Sequence, residues 1–446
     1  MVKLFPFEGI TYNQKKLKKL DRVFTPPYDV ISPEQQDKFY ADHDFNYIRL
    51  ILGKEFTGDG EYNNRYVRAA AFLDGWLRHE ILIKNKRPAL YIYEQRFKIG
   101  GHNFVRLGFI GLLRLEDVGR GKVYPHEETH SRAKIDRLQM LRSTFANLES
   151  IFCLYSDEKL KIIKSLKPYM KRKPLIDVKD QDKVQHRLWV VDRSPTIIKI
   201  IREMKDKPVF IADGHHRYEA ALRFRDELKS RNTKFTEDEA YNHIMVYFTP
   251  LEDHGLVVLP IHRVLRNIAY FEPARFEQQL GQFFDITPYL ATAKTQESVQ
   301  KKLTADMAKL GVDKHCFGMY LGHHQFYLLT LKDENMVDDL VAEEKPKAWK
   351  RLDTTILRAT IIESILGVSQ DNEDKITYVK DAAAAVQMID DNQGQVAFLL
   401  NPTKIEEITA IASKLEKMPQ KSTFFWPKLL SGLVLYKIAH GDKVKP

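Results

Sequence analysis

Two neighbouring stretches, ALYIYEQRFKI and NFVRLGFIGLLRL, alternate apolar and polar residues and face each other across Gly100-Gly101-His102. They predict a β-hairpin, since a glycine-rich connection between period-two runs is that element's usual signature. Upstream, YVRAAAFLDGWLRHE predicts a helix from about Tyr66 to Glu80. Downstream, Ile135, Leu138 and Leu141 recur at helical spacing, which predicts a helix with Lys134 and Arg137 meeting across one turn of another face. HRLWVVD then reads as a strand, PTIIKIIREMKD as a helix, and KPVFIAD as a buried strand leading into a helix from about His215 to Ser230, with Tyr218, Ala221 and Leu222 on one side. YNHIMVYFTP and GLVVLPIHRVL predict two further strands.

From about Phe271 onward, strand and helix patterns alternate, so the fold class expected is α+β or mixed α/β. A boundary near Asn267 would divide the chain into residues 1–267 and a C-terminal α/β domain over 268–446. FTPPYDVIS packs two prolines, an aspartate and a serine into a rigid turn, and Ser32-Pro33-Glu34-Gln35 reads as an N-cap with proline at the first helical position. Gly322-His323-His324 sits between two alternating apolar runs and predicts a hairpin turn.

Composition narrows the class without naming a chemistry. With 43% hydrophobic and 29% charged residues, neither disorder nor a fibrous protein is indicated. A formal charge of +10 over 446 residues permits an anionic partner without requiring one. The basic run Lys15-Lys16-Leu17-Lys18-Lys19 lacks interleaved aromatic residues, so a solvated face is expected there and a nucleic-acid partner is not. Cys153 and Cys316 lie far apart in apolar surroundings and read as buried thiols. No stretch reaches the length of a membrane span and the N-terminus has no secretory pattern, so a cytoplasmic protein is expected, with no membrane partner.

Chemistry concentrates at FIADGHHRYEAAL. A strand, an Asp-Gly turn and a helix opening on two histidines and an arginine bring helix N–H groups and cationic side chains to one point, which favours an anion. Arg217 adds a fork suited to phosphate oxygens. The alternative is structural: Asp213 caps the helix and Gly214 relaxes the backbone. His215 and His216, as sequence neighbours, are poorly placed to share one metal, so no metal site is assigned. The segment Tyr124-Pro125-His126-Glu127-Glu128-Thr129-His130 supplies groups that phosphoryl transfer uses, with Glu127 as base and His126 beside phosphate. With Asp213 these are the candidate catalytic residues. Lys134 and Arg137 would extend the cationic cluster, while Asp29 in its rigid turn, together with His262 and Arg263 in LPIHRVL, would hold substrate.

The stretch ADGHHRYEAAL resembles the signature of the ParB/sulfiredoxin-like superfamily, in which a Gly-x-His/Arg-Arg element at a helix start contacts nucleotide phosphates. PPYDVIS, PHEETH with KIDRL, ADGHHRYEAAL, LPIHRV and MPQKSTFFWPKLLSGLV together resemble an uncharacterised bacterial and archaeal family. It is labelled a domain of unknown function or SpoOJ/ParA/ParB/RepB-like, and the segments run from Pro26 to Val434. Sulfiredoxins carry a catalytic cysteine where this chain has His215, which speaks against sulfinic acid repair. ParB clamps continue into a helix-turn-helix where this chain turns to apparent strands. In its Asp-Gly-His-His-Arg form the motif is most similar to the free-serine kinase branch. The resemblance therefore implies a nucleotide-binding core in which Gly214, His215, His216 and Arg217 hold ATP or ADP, with Mg2+, and phosphoryl transfer to or from a small hydroxylated metabolite of the serine or phosphoserine type. A nucleotide-binding regulatory protein, associated with DNA, is the alternative.

Overall fold

The computed structural model describes residues 1–127, 131–341, 344–439 and 441–444; Glu128, Thr129 and His130 of the PHEETH segment lie outside them. The alternating runs form the expected hairpin, Leu90–Ile99 against His102–Arg114. Its tip is Gly100-Gly101, with φ of 55° and 84°, the left-handed pair that a two-residue turn of matching twist requires.

This hairpin lies within a nine-stranded sheet. Edge to edge the strands are Val123–Tyr124, Val209–Asp213, Ile151–Tyr155, His243–Pro250, His102–Arg114, Leu90–Ile99, Gln185–Val191 and Ile176–Lys179, and Leu4–Phe5 pairs with His102–Arg114. Val209–Asp213 runs parallel to Val123–Tyr124, and Ile151–Tyr155 parallel to His243–Pro250, while the other neighbours are antiparallel. The fold class is mixed α/β. Helices Arg65–Arg78, Ser131–Thr144, Ser194–Met204 and His215–Lys229 accompany the strands in chain order. Ser32 caps Pro33–Asp42 through a reciprocal bond pair with Gln35, as the Ser-Pro-Glu-Gln pattern predicts.

Contacts divide the chain into two units, Met1–Val257 with Pro427–Pro446, and Val258–Trp426. The second unit has a six-stranded sheet in the order Phe284–Leu290, Gln325–Leu331, Cys316–Tyr320, Val396–Leu399, His262–Leu265 and Ile376–Val379. Successive residues of Cys316–Tyr320 feed two different apolar clusters. Phe317 and Met319 join Phe398 and Leu329, whereas Cys316 and Tyr320 join Leu328 and Leu399, so both faces of this sheet are covered. GLVVLPIHRVL is broken into Val257–Leu259 and His262–Leu265, because Pro260 has no N–H to donate to a ladder. His323 and His324 both have positive φ in the tight turn expected of Gly-His-His. Both cysteines are free and buried.

The periodicity of Ser131–Thr144 needs correction. Ile135 is 52% exposed, whereas Arg137 is only 5% exposed and donates to the carbonyl of Ile51. Packing has rotated the charged residue inward, and Lys134 turns to Glu219 at 3.1 Å instead of joining Arg137.

Candidate functional site

In the first unit, strand register gathers polar residues on one face of the nine-stranded sheet. Directly paired residues point to the same side, and so do residues two apart along a strand. The pairs Asp213↔Phe152, Phe152↔Tyr247, Tyr247↔Ile110, Gln95↔Arg106 and His186↔Gln95, with Arg106 four residues from Ile110 and Tyr93 two from Gln95, therefore lay Asp213, Arg106, Gln95, Tyr93 and His186 on one face. A register shift between Ile211 and Asp213 marks a bulge at the strand's end, where such irregularities re-aim side chains.

The stretch from Pro427 onward crosses this face and is tied down along it. Arg106 donates to the carbonyl of Pro427, Gln95 Nε2 to that of Lys428 at 2.8 Å, and the N–H of Leu430 to Tyr93 Oη at 3.1 Å. Lys428 Nζ donates to Asp213 Oδ1 at 2.5 Å. Arg217 Nη2 donates to Asp213 Oδ2 at 2.7 Å while its Nη1 reaches the carbonyl of Ser150 at 2.6 Å. Burial acts to raise the Asp213 carboxyl, but Lys428 and Arg217 outweigh it and hold the group well below the usual carboxylate range.

Gly214 links this carboxylate to the 15-residue helix His215–Lys229 with φ of +95°. A Cβ there would stand 2.9 Å from Ile151 Cγ2 and 3.0 Å from Arg217 Nε. Gly214→Ala is therefore expected to cost about 1–3 kcal/mol, read as a lowered denaturation midpoint. An unchanged midpoint would show that the turn needs no glycine.

His215 and His126 meet edge to face, 4.6 Å between ring centroids. The N–H of His126 donates to His215 Nε2 at 3.1 Å, which leaves the proton of a neutral His215 on Nδ1, 3.8 Å from Glu127 Oε2. His126 Nδ1 donates to the carbonyl of Ile211 at 2.5 Å, and burial pushes this imidazole down to about 4. The sequence-derived residues His126, Glu127 and His215 thus form one contact group, and Asp213 and Arg217 another, on either side of Gly214.

Arg137 stacks over the Tyr28 ring at 3.7 Å and lies 3.6 Å from Glu149. Glu149 accepts from Ser431 Oγ at 2.9 Å and from the N–H of Tyr28 at 3.3 Å. Burial raises its pKa against the pull of Arg217 and Arg137. Asp29 is exposed, and its charge, with those of Glu149 and Asp213, offsets the burial that would lower the pKa of Arg217. A small cavity of about 20 Å³ is walled by Asp213, Arg217, Glu149, Ser150, Tyr93 and Ser431 among others. A second, of about 40 Å³, joins Arg217 and Glu149 to Arg137.

Sequence reasoning missed Lys428, Glu149, Ser431 and Tyr93. Glu149 carried one local signal, an acidic residue in an otherwise apolar, buried stretch, LESIFCLY. His262 and Arg263 belong to the second unit. His262 Nδ1 accepts from the N–H of Leu400 at 3.1 Å, and Arg263 donates to the carbonyls of Ile261 and Lys421. Among the described residues no group of three or more His, Cys, Asp or Glu could hold a metal ion, and no helix is long and apolar enough to cross a membrane.

A family model described as a protein of unknown function matches residues 4–355. Nothing matches among curated proteins. Solved structures that are similar include a mutant free serine kinase in complex with ADP, 11% identical, covering 68% of this chain and 84% of that one at a TM-score of 0.31. C-terminally truncated SbnI from Staphylococcus aureus is also 11% identical and covers 75% and 91% at 0.34. A conserved hypothetical protein from Pyrococcus furiosus is 13% identical and covers 69% and 89% at 0.28. At such TM-scores none of these neighbours bears on the chemistry, which rests on the chain's own residues.

Proposed function

The chain belongs to the DUF1015 family, whose description assigns no chemistry, and from its site we propose a nucleotide-dependent phosphotransferase or phosphatase acting on a small hydroxylated metabolite of the serine or phosphoserine type. One observation carries this reading. Two cationic side chains, Arg217 and Lys428, flank one ionised carboxylate at the head of a long helix, and Asp213 and Arg217 wall a small cavity there. A helix start with adjacent cations is an anion site, and a phosphate entering the cavity would share Arg217 and Lys428 with Asp213. The Asp-Gly-His-His-Arg resemblance supports ATP or ADP as the phosphate's carrier, with Gly214 giving the backbone its close approach.

Phosphoryl transfer commonly employs Mg2+ to neutralise phosphate oxygens. The described residues do not fit a resident metal, since they form no ligand cluster and Asp213 is already held by two cations.

The test is calorimetric titration of ATP, ADP, serine and phosphoserine into the full chain and into Arg217→Ala, below the variant's unfolding temperature. Loss of charge-assisted bonds to phosphate of about 1.5–3 kcal/mol predicts nucleotide binding weakened roughly tenfold to hundredfold in the variant. Equal affinity in both proteins, or no nucleotide binding by either, sinks the reading. Nucleotide binding with no transfer to any hydroxylated acceptor would favour a regulatory role.

A further inference from the structure

We propose that Tyr93 is the proton-transfer group of the cavity beside Arg217, set in place by His186 and Asp180. This deepens the phosphoryl-transfer reading and rests on it. Tyr93 Oη and His186 Nδ1 are 2.6 Å apart, and His186 Nε2 is 2.9 Å from Asp180 Oδ2. The N–H of Leu430 occupies one acceptor position on Tyr93 Oη, so the phenol proton points to Nδ1, and the imidazole proton lies on Nε2 toward the carboxylate. Asp180 is itself anchored, its Oδ1 accepting from the N–H of Val184 at 2.8 Å. Tyr93 and His186 are 1% and 0% exposed, yet Tyr93 lines the cavity of Arg217 while Asp180 lines another, of about 100 Å³.

A buried phenol needs only one acceptor, and two other fully buried tyrosines of this unit use backbone carbonyls. Tyr47 donates to Leu148 and Tyr12 to Phe45. Tyr93 is instead joined to a buried imidazole whose far nitrogen meets a carboxylate, the arrangement that orients a histidine and stabilises its protonated form. Arg106 and Tyr247 are further charged or titratable neighbours of Tyr93, and Asp213, Arg217 and Glu149 line the same cavity. Asp213 is ill suited to the task because Lys428 and Arg217 make its carboxylate a weak proton acceptor, and Glu127 is turned toward His215.

In the forward direction a ligand hydroxyl gives its proton to Tyr93 Oη as the phenol proton passes to His186 Nδ1, and the imidazolium formed is paired with Asp180. The freed oxygen forms the new bond to the terminal phosphorus of a nucleoside triphosphate. The bond from that phosphorus to the bridging oxygen breaks, its electron pair leaving with the nucleoside diphosphate. His186 and Asp180 are positioning residues, since they act through Tyr93.

The test compares wild type, Tyr93→Phe and Asp180→Asn for ATP-dependent phosphorylation of serine and for the reverse reaction with ADP and phosphoserine, with ADP binding measured on each. Tyr93→Phe keeps the ring and is expected to retain ADP binding and KM while kcat falls about 10²-fold or more. Asp180→Asn should move the acidic limb of the kcat profile to lower pH, because the charge that faces the imidazolium formed in the step is gone. A purely structural relay would not shift that limb. If Tyr93→Phe fails to fold, the Asp180→Asn profile decides alone. Wild-type turnover with kcat unchanged in Tyr93→Phe, or with the limb unmoved in Asp180→Asn, overturns the role of Tyr93 and leaves the phosphoryl-transfer reading standing. Absence of wild-type turnover overturns both.

Discussion

Replacing Asp213 by asparagine is expected to destabilise the protein by about 3–5 kcal/mol, the usual cost of removing one partner from a buried ion pair. The shape of the side chain is kept, so packing changes little, but Arg217 and Lys428, each with 11% of its side chain exposed, lose the charge between them. Glu149 lies close enough to Arg217 to act on it electrostatically and compensates only part of the loss. Adding Lys428→Met to Asp213→Asn should recover stability, since the double variant no longer buries that unpaired ammonium, and the two effects should be strongly non-additive. Urea denaturation of the four proteins of this cycle checks the expectation. A single-variant loss below about 1 kcal/mol, or additive effects, would mean that the ion pair does not hold the segment after Pro427 on the sheet. Because the folded pKa of Asp213 is depressed, its contribution is present above the unfolded carboxylate pKa and is lost as pH falls through the folded value.

Acid should destabilise the chain well before its carboxylates protonate. His126, His243 and His262 are buried, and burial pushes each imidazole from 6.5 down to about 4. Between those limits the unfolded chain binds protons that the folded chain refuses, so stability falls as pH is lowered. Each histidine contributes about 1.4 kcal/mol per pH unit over that window, up to roughly 3 kcal/mol in full. Glu149 works in the opposite direction, since its raised pKa favours the folded state at low pH. Asp253 and Glu407 act in the same sense as Glu149, but the histidine shifts are the large ones and leave a net loss. Denaturation midpoints measured from pH 7 to pH 4.5 should fall steadily, with a shallower decline in His126→Asn, whose amide can still donate to the carbonyl of Ile211. A flat profile over this range would show that the three rings are already charged in the folded state.

Local patterns determined a good part of this protein. Alternation with Gly100-Gly101 specified the central hairpin, Ser32 with Gln35 specified a capped helix, and the apolar run into Asp213-Gly214 specified a strand, a left-handed turn and a helix. Each depends on residues a few positions apart, whose preferences survive in any tertiary setting. Arg217 was legible for the same reason, since its bond to Asp213 spans four residues.

Tertiary structure decided what faces these elements. Periodicity places Ile135 inward and Arg137 outward, and the reverse holds because the Ile51 carbonyl, the Tyr28 ring and Glu149 offer the guanidinium partners distant in the chain. Lys428 meets Asp213 across 215 positions, and Leu430 meets Tyr93 across 337. No local propensity encodes which segment will cover a sheet face, because that choice is made by the summed burial and hydrogen bonding of a whole strand row. The sequence alone therefore determined where the helix begins and which residues open it, while only the fold brought Lys428, Glu149 and the Tyr93–His186–Asp180 line to the same sheet.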